Sequence, residues 1–232
     1  MEILAIIPAR GGSRGIPRKN VQLIAGEPLI AHTIKSARKS EYITRIIVST
    51  DDKEIAEISK VFGAEVVLRP AEISGDTASS EAALLHTIGY LKKNEGYFPD
   101  LTVFLQCTSP LALAEDIDRT IALLLNTATD CAFSATESHQ FLWKTRRNGF
   151  AQGINHDPEI RPRRQEMELQ YRENGAVYAM RTEGFVRAGR RFFGKISLSV
   201  MPPERSLDID EPLDLEIAEF LIKRSTDTEK GG

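Results

Sequence analysis

The chain has 232 residues, 41% hydrophobic and 27% charged, with a formal net charge of −3. A chain of this length folds as one or two domains, and roughly 70% of its extended surface can be buried without a disulfide or metal staple. Near-balanced charge argues against a nucleic-acid partner, which demands a strongly basic face, yet it leaves room for one local basic pocket.

The start, Met1 to Arg10, has no basic segment before its short apolar run, so neither a signal peptide nor a membrane partner is expected. Cys107 and Cys131 form no CxxC pair and read as free buried thiols of a reducing, cytoplasmic compartment. The four histidines have no metal-ligand spacing.

In chain order, Ile3 to Ile7 is an apolar run stopped by Pro8, the mark of a buried strand. A glycine-rich basic loop follows, and Pro28 opens a helix with Ile30, Ile34 and Ala37 on one face. Arg45 to Thr50 is the next strand. Asp51 or Asp52 caps a helix carrying Ile55, Ile58 and Phe62 and closed by Gly63. Glu65 to Leu68 is a third strand, before a helix from about Ser79 to Lys93 that buries Leu84, Ile88 and Leu91. Leu101 to Gln106 and Ala114 to Asn126 complete a fourth strand–helix unit.

This alternation predicts an α/β fold: a mostly parallel, doubly wound sheet that binds ligands beyond the carboxyl ends of its strands. The rhythm breaks from about Phe133 to Tyr178, a segment with a hairpin at Arg147-Asn-Gly149, the basic run Arg161-Pro-Arg-Arg164 and the only Trp. It reads as an insertion. Strands at Ala176 to Met180 and Ile196 to Val200 and a helix from Pro212 to Lys223 finish the sheet, with a frayed tail from Ser225.

The strongest chemical signal is the loop Pro8 to Asn20. It holds Gly11, Gly12 and Gly15 and the cations Arg10, Arg14, Arg18 and Lys19, with no acid. Glycines let backbone N–H groups turn towards an anion, and the cations neutralise it, so the loop suits a triphosphate. It contains neither a Walker sequence nor a dinucleotide fingerprint. Asp208 and Asp210 supply the opposite charge. In a strand their side chains would share one face with Ile209 turned to the core, a pair suited to Mg²⁺ beside phosphates, whereas Asp210 could instead cap the helix opened by Pro212.

The loop resembles the opening motif of the acylneuraminate cytidylyltransferases, which activate sialic and related nonulosonic acids with CTP. The resemblance continues through Ile47-Val-Ser-Thr-Asp51, Arg69-Pro-Ala-Glu72, Asp76-Thr-Ala-Ser-Ser80, Leu105-Gln-Cys-Thr-Ser-Pro-Leu111, Arg172-Glu-Asn-Gly-Ala-Val-Tyr178 and Ser206-Leu-Asp-Ile-Asp210. It implies a single cytidylyltransferase domain over 1–232 with a nucleotidyltransferase (Rossmann-like) fold and a dimerisation insertion at about 133–178. It implies a homodimer that takes CTP and an acidic nine-carbon sugar.

By the same resemblance, Arg10, Arg14 and Lys19 hold the triphosphate together with the backbone of Gly11, Gly12 and Ser13, while Asn20, Arg69 and Ser80 surround the nucleoside. Members often carry Lys where this chain has Arg14. Asp208 and Asp210 hold Mg²⁺, with Mn²⁺ as a substitute, and act with Arg10 and Lys19 as the catalytic group. Lys144, Arg164 and Arg172 meet or flank the sugar carboxylate, Gln106, Asn174 and Tyr178 contact the sugar, and Phe192 and Phe193 receive its N-acyl methyl. Taken alone, Asp76-Thr-Ala-Ser-Ser80 reads as a helix cap, Phe192-Phe193 as core and Arg161 to Arg164 as a solvated basic face. A related acid-sugar acceptor (pseudaminic, legionaminic or Kdo), a sugar 1-phosphate with another NTP, and a non-catalytic nucleotide-binding protein of the same fold are the alternatives.

Overall fold

A computed structural model describes residues 1–12, 15–75, 77–160 and 162–230, without the side chains of Arg164 and of 226–230. In chain order it contains β1 (Ile3–Pro8), β2 (Leu23–Ile24), β3 (Glu27–Pro28), α1 (Leu29–Lys39), β4 (Arg45–Thr50), α2 (Lys53–Val61), β5 (Glu65–Leu68) and α3 (Ser80–Glu95). Then come β6 (Leu101–Leu105), α4 (Ala114–Asn126), β7 (Cys131–Ser138), β8 (Trp143–Thr145), β9 (Ala151–Gly153), β10 (Gln170–Arg181), α5 (Thr182–Ala188), β11 (Ile196–Val200) and α6 (Pro212–Lys230).

One seven-stranded sheet of order β11-β7-β10-β6-β1-β4-β5 organises these elements. β10 alone runs antiparallel to its neighbours β6 and β7. The central strand shows why the apolar runs are continuous rather than alternating. Ile3, Ala5 and Ile7 pack into one core with Ile30, Ile34, Ile55, Ile117 and Ile121, while Leu4 and Ile6 pack into a second with Leu84, Ile88, Leu91 and Phe185. Successive side chains point to opposite faces, so a sheet covered by helices on both sides requires apolar residues at every position. A third, smaller cluster of Ile16, Ile24, Leu29, Ile209 and Ala218 lies beneath the basic loop and seats α6 there.

Local signals set the helix ends. The Asp52 carboxylate accepts the Ile55 N–H (3.0 Å) at the start of α2, and the Ser79 hydroxyl accepts the Ala82 N–H (3.2 Å) at the start of α3. Between Asp51 and Asp52, the cap is therefore Asp52.

Two sequence expectations are corrected. Phe133 and Tyr178, taken as the limits of an insertion, lie inside the sheet strands β7 and β10, so only the segment between those strands leaves the sheet. Its β8–β9 hairpin turns through Gly149, at φ 83°, as the Asn-Gly pair indicated. The segment from Ser225, expected to fray, continues α6 as far as Lys230. α5 had no counterpart in the sequence reading. Among the described residues, no helix is long and apolar enough to cross a membrane.

Candidate functional site

At the carboxyl ends of β1, β5 and β6 lies a cavity of about 270 Å³. Arg10, Gly12, Lys19, Asn20, Arg69, Ser80 and Gln106 line it, seven of the residues singled out from sequence. Ser13 and Arg14 lie outside the described residues.

The loop reaches this position because it is pinned from behind. Gly11 donates its N–H to the Asp51 carboxylate (3.0 Å), and the Asn20 amide donates to the Arg10 carbonyl (3.0 Å). Arg10 itself donates to the Gly75 carbonyl (3.1 Å), which draws the segment before α3 over the cavity. Arg18 takes a different part from its neighbours. With φ at 56° it folds back onto Asp52 and Glu54, and this pairing raises its pKa and lowers that of Asp52. It anchors the loop to α2.

Arg69 is the most telling side chain in the cavity. Its Nε and Nη2 are buried and have no hydrogen-bond partner, and burial pushes its pKa down. Buried donors of this kind are normally satisfied, so an unpaired guanidinium lining a cavity calls for an acceptor from outside the protein. Both readings of the motif hold: Ser79 caps α3, and Ser79 and Ser80 both line the cavity. Thr108, Phe104 and Cys107, which sequence reasoning passed over, also line it. Thr108 and Cys107 belong to the quoted Gln-Cys-Thr-Ser-Pro run, which was their available signal. Cys107 is buried and its thiol is pushed up to about 12, so it is chemically inert.

The acidic segment lies beside the cavity, in contact with its lining residues Thr108 and Lys19. Asp208 and Asp210 do not occupy a sheet strand, contrary to expectation. They sit in an extended loop held by Ile209, which is fully buried and donates its N–H to the Thr108 carbonyl (2.8 Å). Asp210 is not the helix cap either: the Asp214 carboxylate accepts the N–H groups of Asp210 (2.9 Å) and Glu211 (2.8 Å). Lys19 donates to the Ile209 carbonyl (2.6 Å) and lies 3.6 Å from the Asp210 carboxylate, joining loop to segment.

Asp208 carries a buried Oδ1 with no partner, and burial, with the nearby charges of Asp210 and Asp214, pushes its pKa up. A buried acceptor without a donor, beside a second carboxylate and a phosphate-suited loop, fits a hard divalent cation such as Mg²⁺, which needs only one or two protein carboxylates. Among the described residues no larger cluster of His, Cys, Asp or Glu could hold a metal. Gly175, at φ 77° in an irregularity of β10, lets Gln106 and Asp208 come close: a β-carbon there would lie 3.3 Å from Gln106 Nε2 and 3.6 Å from Asp208 Oδ2.

The expected sugar residues divide. Asn174, expected to face a sugar, is 2% exposed and fully engaged: it accepts from Ser134 Oγ (2.7 Å) and donates to Ser206 Oγ (3.0 Å) and Met201 Sδ (3.2 Å). Its amide has nothing left to offer a ligand. Tyr178 is 3% exposed, stacks on Phe104 at 5.3 Å and donates its hydroxyl to Glu173. Phe192 packs edge-on against Phe133 at 5.2 Å, and Phe193 lies over Gly184. These rings form a wall beside the cavity rather than lining it. Arg172 is exposed on β10 and Lys144 is exposed on the β8–β9 hairpin. The side chain of Arg164 lies outside the described residues.

Residues 4–216 match the family model described as Cytidylyltransferase. The chain is 36% identical over 96% of its length to N-acylneuraminate cytidylyltransferase A of Danio rerio, of which it covers 51%. It thus spans about half the length of that relative. It is 32% identical to a pseudaminic acid cytidylyltransferase of Campylobacter jejuni, with 96% of this chain and 97% of that protein covered. A solved structure titled CMP:2-keto-3-deoxy-manno-octonic acid synthetase complexed with CTP superposes with a TM-score of 0.70 at 18% identity, over 97% of this chain and all of that one. The last is a likeness of fold, and the fold is that of the nucleotidyltransferases. Given the family match and the near full-length similarity at 32%, the chain belongs to the cytidylyltransferase family.

Proposed function

We propose that this protein transfers CMP from CTP to the anomeric hydroxyl of a nonulosonic acid and releases pyrophosphate. The observation that carries the reading is a pair of orphaned groups on either side of Lys19: the unpartnered donors of Arg69 in the cavity, and beside it the unpartnered Oδ1 of Asp208 in the acidic segment, to which the cavity-lining Lys19 is joined through Asp210. A cytidine nucleotide with its phosphates and cation supplies the acceptors, the anion and the positive charge that these groups require.

The acceptor C2 oxygen bonds to the α-phosphorus as the bond to the β-phosphate oxygen breaks, and the hydroxyl proton passes to solvent. Rate then comes from positioning and from charge neutralisation rather than covalent work by the protein. Arg10 and Lys19 hold the phosphates and stabilise charge that grows on the leaving pyrophosphate. Arg69, Asn20 and Ser80 hold the nucleoside, and Gln106 beside Gly175 faces the acceptor. Asp208 and Asp210 would hold Mg²⁺, for which Mn²⁺ could substitute, and the ion would supply neutralisation of the crowded phosphates.

The reading extends to a homodimer in a reducing, cytoplasmic compartment. Free buried Cys107 and Cys131 support the compartment. The dimer is supported by the β8–β9 hairpin, which leaves Trp143 51% and Phe150 70% exposed, an apolar surface that suits a second copy. Lys144 and Arg164, with Arg172, would then serve the neighbouring subunit's acceptor.

The relative from Campylobacter jejuni, matched over nearly its whole length, makes a pseudaminic-type acid the second acceptor to test. Pyrophosphate release measured with four nucleoside triphosphates against sialic, pseudaminic, legionaminic and Kdo-type acids should show CTP-dependent turnover with a nine-carbon acid. Asp210→Ala should stay folded and lose about a thousandfold or more. Turnover that ignores CTP, or near-normal Mg²⁺-dependent turnover by the variant, would overturn the reading.

A further inference from the structure

Between α5 and β11 the chain reads Gly189-Arg-Arg-Phe-Phe-Gly194, flanked by glycines at φ 65° and 58°. This segment carries Phe192 and Phe193. One end is fastened locally: the Asp130 carboxylate accepts the Lys195 N–H (2.8 Å), and Cys131 Sγ donates to the Phe193 carbonyl (3.2 Å). The side chain that leaves the segment towards α3 and β6 is Arg191. Its Nε donates to Glu81 Oε1 at 2.6 Å, and its guanidinium lies 5.0 Å from the Phe104 ring centroid and 4.7 Å from that of Tyr178.

Each partner belongs to a different wall. Glu81 follows Ser80, in the first turn of α3. Phe104 lines the cavity. Tyr178 stands opposite Phe104 in the β6–β10 register and meets Phe192 edge-on at 6.0 Å. We propose that Arg191 is a positioning residue that ties the aromatic wall of Phe192 and Tyr178 to the nucleotide-binding helix α3. The proposal rests on the function given above.

The contact is built for one side chain. Arg191 and Glu81 are each about four-fifths buried, with side-chain exposures of 20% and 19%. Burial tends to raise the Glu81 pKa, but the hydrogen bond and charge of Arg191 together with backbone hydrogen bonds outweigh it, leaving the carboxyl below its usual range. A planar guanidinium can bond a carboxylate edgewise while its face rests on aromatic rings, and an ammonium cannot do both. Arg191 is absent from the cavity lining, so it acts through Ser80 and Phe104 rather than on the nucleotide. Its loss should free the aromatic segment to move against α3. The aromatic wall would then offer the acceptor a less well fixed surface, which weakens acceptor binding in ground state and transition state alike and raises its KM.

The test compares Arg191→Ala, Arg191→Lys and Glu81→Gln with the wild type. Acceptor kcat/KM is expected to fall about a hundredfold in Arg191→Ala, mainly as a raised acceptor KM, while calorimetric CTP affinity is unchanged. Arg191→Lys should recover only a minor part of the loss. Glu81→Gln should fall in the same direction, and adding it to Arg191→Ala should cost nothing more, because the two residues act as one contact. Amide exchange in 189–195 should rise in Arg191→Ala and Glu81→Gln.

An unchanged acceptor KM, additive losses, or unaltered exchange would overturn the tether. If Arg191→Ala does not fold, Glu81→Gln alone decides by the same readouts. The exchange measurement needs no acceptor. A wild type that turns over none of the acids therefore counts against the function, and exchange still decides whether Arg191 fastens the segment.

Discussion

Gly15 and Asp210 are in backbone contact: a β-carbon on Gly15 would stand 2.5 Å from the Asp210 carbonyl oxygen. The basic loop and the acidic segment therefore fit together as one surface, although the whole sheet separates them in sequence. Lys19 completes the joint by donating to the Ile209 carbonyl at 2.6 Å. A methyl group cannot be accommodated against backbone, so Gly15→Ala must shift the basic loop and the acidic segment relative to each other. The expected result is a folded protein, with an unchanged circular dichroism spectrum, whose turnover falls about a hundredfold. Wild-type turnover in this variant would show that the spacing of loop and segment is not critical to the chemistry.

The parts of this architecture that were legible in sequence are those with a local physical cause. β4, β5, α4 and β11 begin and end at the predicted residues, because short runs carrying β-branched residues, bounded by turn residues, mark strands and a helix shows its period of 3.6. The cavity side of the basic loop was legible because glycines and cations without acids have few other uses. What escaped depended on contacts between distant segments. The i, i+2 spacing of Asp208 and Asp210 suggested a strand, but their placement comes from Ile209 in the third cluster and from the Thr108 carbonyl. Arg18 is indistinguishable from Arg10 in composition, and only the fold brings it to Asp52 and Glu54. Asn174 sits in a motif suited to a sugar, yet Ser134, Met201 and Ser206 use its hydrogen-bonding capacity.

Asn174 should accordingly matter for stability. Asn174→Ala would strip the buried Ser134 and Ser206 hydroxyls of a partner at the point where β7, β10 and the segment after β11 meet. Ser134 keeps its bonds with Val177 and Ser206 its bond to the Pro202 carbonyl, so the cost is that of the lost hydrogen bonds, and a loss of about 1–3 kcal/mol is expected from urea unfolding. Loss of acceptor affinity with unchanged stability would instead return Asn174 to the role of a sugar contact.

Asp208 should show the reverse balance. Its buried Oδ1 has no donor, and its charge lies close to those of Asp210 and Asp214. Asp208→Asn removes that buried charge, so without Mg²⁺ the variant should melt above the wild type, by roughly 2–4 °C for each kcal/mol gained. Mg²⁺ should then raise the melting temperature of the wild type but not of the variant, since a ligand stabilises only the state that binds it. A variant that melts lower than a wild type indifferent to Mg²⁺ would mean that the orphaned oxygen is no cation seat.

The hairpin gives the last expectation. Leu142, Trp143, Phe150 and Ile154 are exposed on or beside β8 and β9, while Phe141 and Trp143 are each braced edge-on by His156 at 4.7 and 4.8 Å. Rigid aromatic residues with neighbouring cations are what the centres of protein interfaces favour. Trp143→Glu would place a charge in the centre of the proposed interface, and sedimentation should find the wild type a dimer and the variant a monomer. If Lys144 and Arg164 then reach the acceptor of the facing subunit, a site needs the hairpin region of one chain and Asp210 of the other. Arg164→Ala and Asp210→Ala should each be inactive alone, and mixing them should restore part of the turnover, because one of the two sites in a mixed dimer is intact. Mixed dimers, verified by differently tagged chains, that recover no activity would place the whole site within one chain and leave the hairpin an interface without a catalytic part.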